Sequence, residues 1–232
     1  MTLIISHRHG GRIDIVSDGA VYDDAGVIHG AECKVVAMPG MPAVVSGSGK
    51  VGLVDAITER FFGIFQQAGS FDRAVVEVSA ALCLLAPLVN APPFRIVLAG
   101  MSEAEGPLVF LLGNTAEEGR EPMVLYKAHH GTAMQHEMPA VMHREIVSQG
   151  GLRNIAVGFM EASRRDGWAR GDLVVGCHVD FTTITASGVT TERIHEWPDT
   201  IGEKITMFDN SRIVPMNRQQ CRAMERQNGK FN

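Results

Sequence analysis

The apolar period of this sequence changes at Val51, and that change governs what the chain can fold into. Upstream, short alternating runs at residues 3–7, 12–17, 34–38 and 43–45 predict strands, because side chains two apart share one face of an extended chain. Turn-forming stretches separate them: His9-Gly10-Gly11, Tyr22-Asp23-Asp24-Ala25-Gly26 and Pro39-Gly40-Met41-Pro42. Downstream, Val51, Val54, Thr58, Phe61, Phe62 and Phe65 recur at three and four, the spacing of one helix face, and Gly69 follows as a stop. Phe71, Val75, Val78, Leu82 and Leu85 predict a second helix that stops at Pro87. Its other side carries Ala80, Ala81, Cys83 and Leu84, which predicts burial on most sides. Strand signals return at 94–99, 108–112 and 123–126. Helical spacing follows at 139–148, with Pro139 in the first helical position, and at 152–165. Strands at 173–177, 182–186 and 189–195 close the pattern.

Runs of strands alternating with pairs of helices do not fit a parallel sheet, in which a helix follows each strand. They fit an α+β fold: a four-layer αββα sandwich of two antiparallel sheets flanked by helix pairs. Residues 1–197 are expected to form this single domain. Residues 198–232 are polar with weak periodicity and read as a C-terminal extension.

Composition excludes classes rather than choosing one. Lys plus Arg is 21 and Asp plus Glu 26, a net charge of −5. That balance does not suit a protein held to nucleic acid by phosphate neutralisation. No run of apolar residues is long enough to span a bilayer, so no membrane partner is expected. The N-terminus has no basic stretch ahead of its apolar run and does not read as a secretion signal. Cys33, Cys83, Cys177 and Cys221 are widely spaced and form no Cys-x-x-Cys pair. They read as reduced thiols of a cytoplasmic protein rather than a zinc site or a disulfide framework.

Three features near the N-terminus carry chemistry. Thr2 follows the initiator Met, Ser17-Asp18-Gly19 ends the second expected strand, and Lys34 begins the third. In order and spacing they resemble the proteasome β-subunit and HslV-like family of N-terminal-nucleophile (Ntn) hydrolases. The likeness runs from Thr2-Leu3-Ile4-Ile5-Ser6 through Gly11, Ser17-Asp18-Gly19 and Lys34-Val35 to Ser46-Gly47-Ser48-Gly49 at the head of the first long helix. The element order agrees with that family's sandwich.

The resemblance implies a threonine-type peptidase or amidohydrolase. Thr2, uncovered by removal of Met1, would be the nucleophile, and its own α-amine the base. A free α-amine titrates at about 7.7–8.0, close to working pH. Lys34 would favour proton loss beside it, and Asp18 would hold Lys34. The backbone N–H of Gly47, at a helix start, would stabilise the oxyanion. Asp166 matches the family's second aspartate near the nucleophile. Two positions depart from the family pattern. Ala169 stands where a Ser is usual, and Lys127-Ala128-His129-His130-Gly131-Thr132 replaces a Ser-Gly pair. The resemblance also implies a homo-oligomer or larger protein assembly, a peptide or amide substrate, and no cofactor or metal. A second reading keeps the fold without the chemistry. In it the chain is a structural or adaptor subunit, for example of a phage particle and hence located in the virion, and the polar extension is ordered by a partner.

Other motifs carry less. Ser46-Gly47-Ser48-Gly49-Lys50 is not a phosphate loop, because Val44 and Val51 stand where that motif needs Gly and Ser or Thr. His129, His130, His136 and His143 read as solvated loop histidines, with no His-Glu-x-x-His among them. Arg164 and Arg165 read as charges suited to a helix C-terminus.

Overall fold

A computed structural model of the chain describes residues 2–116, 119–133, 136–170 and 175–205. Its strands are β1 (Ile4–His9), β2 (Arg12–Asp18), β3 (Ala20–Tyr22), β4 (Ile28–Ala31), β5 (Val35–Ala37) and β6 (Ala43–Ser48). Next come helices α1 (Val51–Ala68) and α2 (Phe71–Leu82), then β7 (Arg95–Ser102), β8 (Gly106–Gly113), β9 (Tyr126–Lys127), β10 (Gly131–Ala133) and β11 (His136–Glu137). Helices α3 (Ala140–Ser148) and α4 (Leu152–Arg170) and strands β12 (His178–Thr185) and β13 (Gly188–Glu196) complete the domain. One sheet has the order β11-β10-β1-β2-β12-β13 and the other β5-β6-β7-β8-β9, with every pairing antiparallel.

Alternation along the strands builds the layers. Ile4, Ile13, Ile15, Val44, Val97 and Val109 turn inward and form the core between the sheets. Their sequence neighbours Ala43, Val45, Ile96 and Leu98 point the other way, against Phe61, Phe65, Phe71 and Val78 of α1 and α2. Leu3, Ile5, Val16 and Phe181 meet Ile146, Leu152, Ala156 and Met160 of α3 and α4. A strand buried on both faces must be apolar at successive positions, as Ile4-Ile5, Ile15-Val16 and Ala43-Val44-Val45 are. Each such Ile, Val or Leu contributes about 1.5–3 kcal/mol on burial. The fold is thus the four-layer αββα sandwich expected from the element order. Among the described residues, no helix is long and apolar enough to cross a membrane.

Several local readings change. Residues 20–22 and 28–31 pair as a small hairpin around the Asp23–Gly26 turn, where alternation was too short to register. The expected second helix is one-sided: Val76 and Ala80 of α2 are exposed, as are Cys83 and Leu84 in the turns after it, so these residues mark a surface, not a second buried face. Pro87 does not end the segment: α2 gives way at Cys83 to a short, tighter 3₁₀ helix over residues 83–90 that contains Pro87. α3 begins at Ala140, one residue after Pro139. Met123 has φ 62°, outside extended geometry, so β9 starts only at Tyr126. The strand expected at 173–177 lies partly outside the described residues; β12 begins at His178 and carries the expected 182–186 strand within it. Residues 206–232 of the expected extension also lie outside the described residues, whereas Ile205 is buried against Ala20 and Ile28.

Candidate active site

The β-bulge-free run of β2 ends at Asp18, which is wholly buried, and the next residue begins the small hairpin. Buried carboxylates need donors, and three converge here. Lys34 Nζ donates to Asp18 Oδ2 at 3.0 Å, the Ala20 N–H to the same oxygen at 3.2 Å, and the Leu3 N–H to Oδ1 at 3.1 Å. Burial pushes the Asp18 carboxyl up from its ordinary range; the Lys34 ammonium and the backbone N–H groups of Leu3 and Ala20 oppose it. Lys34 itself is only 8% exposed at its side chain. Its carbonyl accepts a 2.7 Å hydrogen bond from Ser46 Oγ, tying the start of β5 to β6.

The pair therefore links three strands at one place. Asp18 fixes the backbone of Leu3, the residue after Thr2, and positions the Lys34 ammonium. Thr2 and Lys34 line one cleft of about 310 Å³, together with Ser46, Gly47 and Ser48 on one wall and α1 on another. Gly47 lies in β6, four residues before Val51 opens α1, not at the helix start expected for it. A Cβ there would come within 2.7 Å of Ile96 and Val54, so a larger residue would press α1 away from β6 and β7. Asp166 is exposed on α4 and does not line the cleft. Met1 lies outside the described residues, as do the side chain of Ala169 and the segment that follows it.

The turn at Asp18-Gly19 is backed by a group that periodicity could not show. His178 and Asp180, both buried, share a 3.1 Å hydrogen bond, and Arg193 Nε donates to Asp180 at 3.1 Å. The His178 ring lies where a Gly19 Cβ would stand, at 2.1 Å. Arg164 is also placed differently from its expected helix-end role. It is buried and donates to both oxygens of Asp199 at 2.6 and 2.7 Å, while Asp199 accepts the Cys177 N–H at 2.7 Å.

Away from the cleft, the histidines gather across elements. His7 Nε2 and His143 Nδ1 share a hydrogen bond of 3.0 Å, and the His130 ring stacks on His143 at 3.9 Å. His7 is 1% exposed, and its Nδ1 has no hydrogen-bond partner among the described residues. Among the described residues, no three His, Cys, Asp or Glu are arranged to hold a metal ion. Burial, then His143, His9, His130 and Arg12, lowers the His7 pKa to about 4. The opposing residue on β2 is Asp14, which is occupied by Arg12 and Thr183. In the unfolded chain a histidine binds its proton near 6.5. The stability contributed by neutral His7 is therefore complete above pH 6.5 and lost as pH falls from 6.5 towards 4, on the order of 3 kcal/mol in all. Urea unfolding at pH 7.5 and 4.5 should show that loss in the wild type and a clearly smaller one in His7→Gln. Equal losses would assign the acid sensitivity elsewhere.

Comparison with known proteins agrees with the architecture. The Anbu (Gly-1) mutant from Hyphomicrobium sp. strain MC1 superposes with a TM-score of 0.57 at 16% identity, over 84% of this chain and 87% of that one. At that identity the likeness concerns the fold alone, an α+β arrangement of antiparallel sheets and flanking helices. No protein-family model matches the sequence, and no curated protein does.

Proposed function

We propose that the protein is an Ntn hydrolase that cleaves an amide or peptide bond with Thr2, once Met1 has been removed. The observation that carries this reading is the buried Asp18–Lys34 pair, whose carboxylate also holds the Leu3 N–H and whose lysine lines the same cleft as Thr2.

In this reading the Thr2 Oγ attacks the substrate carbonyl carbon while the Thr2 α-amine takes up the hydroxyl proton. The Lys34 ammonium, held within the fold, favours the deprotonated amine and hydroxyl. Negative charge builds on the carbonyl oxygen, and the Gly47 N–H is its proposed donor. The carbon–nitrogen bond breaks, the leaving amine takes the proton, and an ester on Thr2 remains. Water then adds to the acyl carbon, the ester bond breaks, and a proton returns to Thr2 Oγ. Asp18 does not touch the reacting atoms; it positions Lys34 and the Leu3 backbone. The departures at 127–132 and Ala169 leave the amine without the family's usual supporting side chains, which points to a slow enzyme. A homo-oligomeric assembly is part of the proposal, as the resemblance implies.

The test is chemical. An intact mass lacking one Met, followed by a covalent adduct with a β-lactone or epoxyketone probe, is expected for the wild type. Thr2→Ala should label at least about 10³-fold more slowly. Retained Met1, or equal labelling of the two proteins, would leave the scaffold-subunit reading in its place.

A further inference from the structure

Gly19 is a glycine for reasons of space. Its φ is not positive, so its backbone does not require one. The His178 ring fills the place of its side chain, with Cε1, Nε2 and Nδ1 all standing where a Cβ would be. The outer edge of the ring therefore lies over the middle strand of β1-β2-β12 rather than over its own. His178 is on one side of Gly19, whose N–H donates to the His178 carbonyl at 3.0 Å. Thr2 is on the other side. Ile4 pairs with Ser17, and the Asp18 N–H donates to the Leu3 carbonyl at 3.3 Å, so the next residue of β1, Thr2, comes opposite Gly19. Ile4 faces the core between the sheets and Leu3 faces the helices. Alternation turns Thr2 to the Ile4 side, where it lines the cleft with Ser46 and Gly47 of β6. Directly opposed side chains on paired strands start about 4.5–5.5 Å apart. A ring edge at the Gly19 position is thus within one hydrogen bond, or one bridging water, of Thr2.

The orientation of the ring is set by Asp180. This buried carboxylate lies two residues along β12, level with Ser17, and stands 3.1 Å from His178 Nε2. A carboxylate only accepts, so Nε2 carries the proton. Arg193 Nη2 approaches the same nitrogen at 3.2 Å, but Arg193 is engaged by Asp180 through Nε and by Glu196 through Nη1. Nδ1 is left as the acceptor, and it forms no hydrogen bond with other described residues. It faces away from Asp180, towards the start of β1 and the Thr2 nitrogen. We infer that His178, held by Asp180, is a positioning residue: its Nδ1 accepts a hydrogen bond from the Thr2 α-amine, directly or through one water, and turns the lone pair of that amine towards the Thr2 hydroxyl. The inference rests on the hydrolase reading above and names the side chain that holds its base. No bond is made or broken at His178. When the amine takes up the hydroxyl proton, Nδ1 accepts from the ammonium and steadies its charge.

Kinetics and a spectroscopic signature test this separately. Full-length Thr2-initiated proteins would be reacted with an epoxyketone over a range of concentrations. His178→Gln places its amide at the level of Nε2, keeps the contact with Asp180 and lacks an acceptor at Nδ1. Its maximal labelling rate is expected to fall about 10–100-fold with the half-saturating concentration unchanged. His178→Asn places an amide oxygen at the level of Nδ1 and should recover most of that rate. Asp180→Asn, which removes the group that fixes the tautomer, should fall between them. Long-range ¹H–¹⁵N spectra of the wild type should show His178 as the Nε2–H tautomer, with an Nδ1 resonance that differs between the Thr2-initiated and Met1-retaining proteins. Equal losses in His178→Gln and His178→Asn, an Nδ1–H tautomer, or an Nδ1 resonance that ignores Met1 would overturn the inference. Labelling of His178→Gln at the wild-type rate removes this inference and keeps the hydrolase reading. An Nδ1 resonance that responds to Met1 in a protein that never labels removes the hydrolase reading and keeps His178 beside the amine.

Discussion

Lys34→Met is expected to lower stability by about 3–5 kcal/mol at neutral pH, because it strands a buried carboxylate without its counter-charge. Asp18 is wholly buried and keeps only the Leu3 and Ala20 N–H donors once the ammonium is gone. Burial already pushes the Asp18 carboxyl up, and loss of Lys34 removes the largest opposing influence. A carboxyl whose folded pKa lies above its unfolded value favours the fold in its protonated form. That contribution is complete below the unfolded value of about 3.9 and is lost as pH rises through the folded value. The deficit of Lys34→Met should therefore be widest at pH 7–8 and shrink as the pH approaches 4. Asp18→Asn/Lys34→Met removes both charges and should recover most of the stability, since a buried pair exchanged for neutral groups is often close to neutral. Urea titrations of the four proteins of this double-mutant cycle measure the coupling directly. If the double variant is as unstable as Lys34→Met and the pH dependence is flat, the two residues do not act as a pair. Stability recovered without recovered probe labelling would separate the scaffold role of the pair from its chemical one.

The layers were legible in the sequence because they rest on apolar periodicity, and periodicity is a local property. The doublets Ile4-Ile5 and Ile15-Val16 announce strands covered on both sides, and the three-and-four spacing from Val51 to Phe65 announces α1. Thr2, Lys34 and Gly47 were singled out through a family resemblance carried by order and spacing, and all three line one cleft. What escaped is polar and distant in sequence. Arg164 looked like a helix-end charge because nothing near it in the chain indicates Asp199, 35 residues on. His178 and Asp180 interrupt the apolar alternation of β12, so the strand seemed to divide there. His7, His130 and His143 come from β1, the β9–β10 connection and α3, and only tertiary packing stacks them. Gly47 was assigned to a helix start from its place before α1, whereas β6 extends through Ser48.

A close backbone approach in the large sheet makes a sharp test of the packing. Gly131 opens β10 opposite His7 of β1, with φ +129°, a conformation that L side chains rarely adopt. A Cβ at that position would lie 2.1 Å from the Ser6 carbonyl oxygen and 2.7 Å from its carbon, both backbone atoms of a central strand. No rotamer change relieves such an overlap. β10 would have to withdraw from β1, giving up the Arg8 N–H to His130 carbonyl bond at 2.8 Å and the buried bond between the Ser6 and Thr132 hydroxyls at 2.8 Å. Backbone strain and overlap together place Gly131→Ala at roughly 3–6 kcal/mol destabilising. Gly63→Ala provides the contrast, because Gly63 lies within α1 and a Cβ there meets nothing within 4 Å. In a helix interior the same change stabilises by about 0.5–1 kcal/mol. Thermal unfolding of the two single variants should therefore move in opposite directions. A Gly131→Ala protein within 1 kcal/mol of the wild type would mean that β10 does not pair with β1 in this register, and with it would go the placement of His130 over His143.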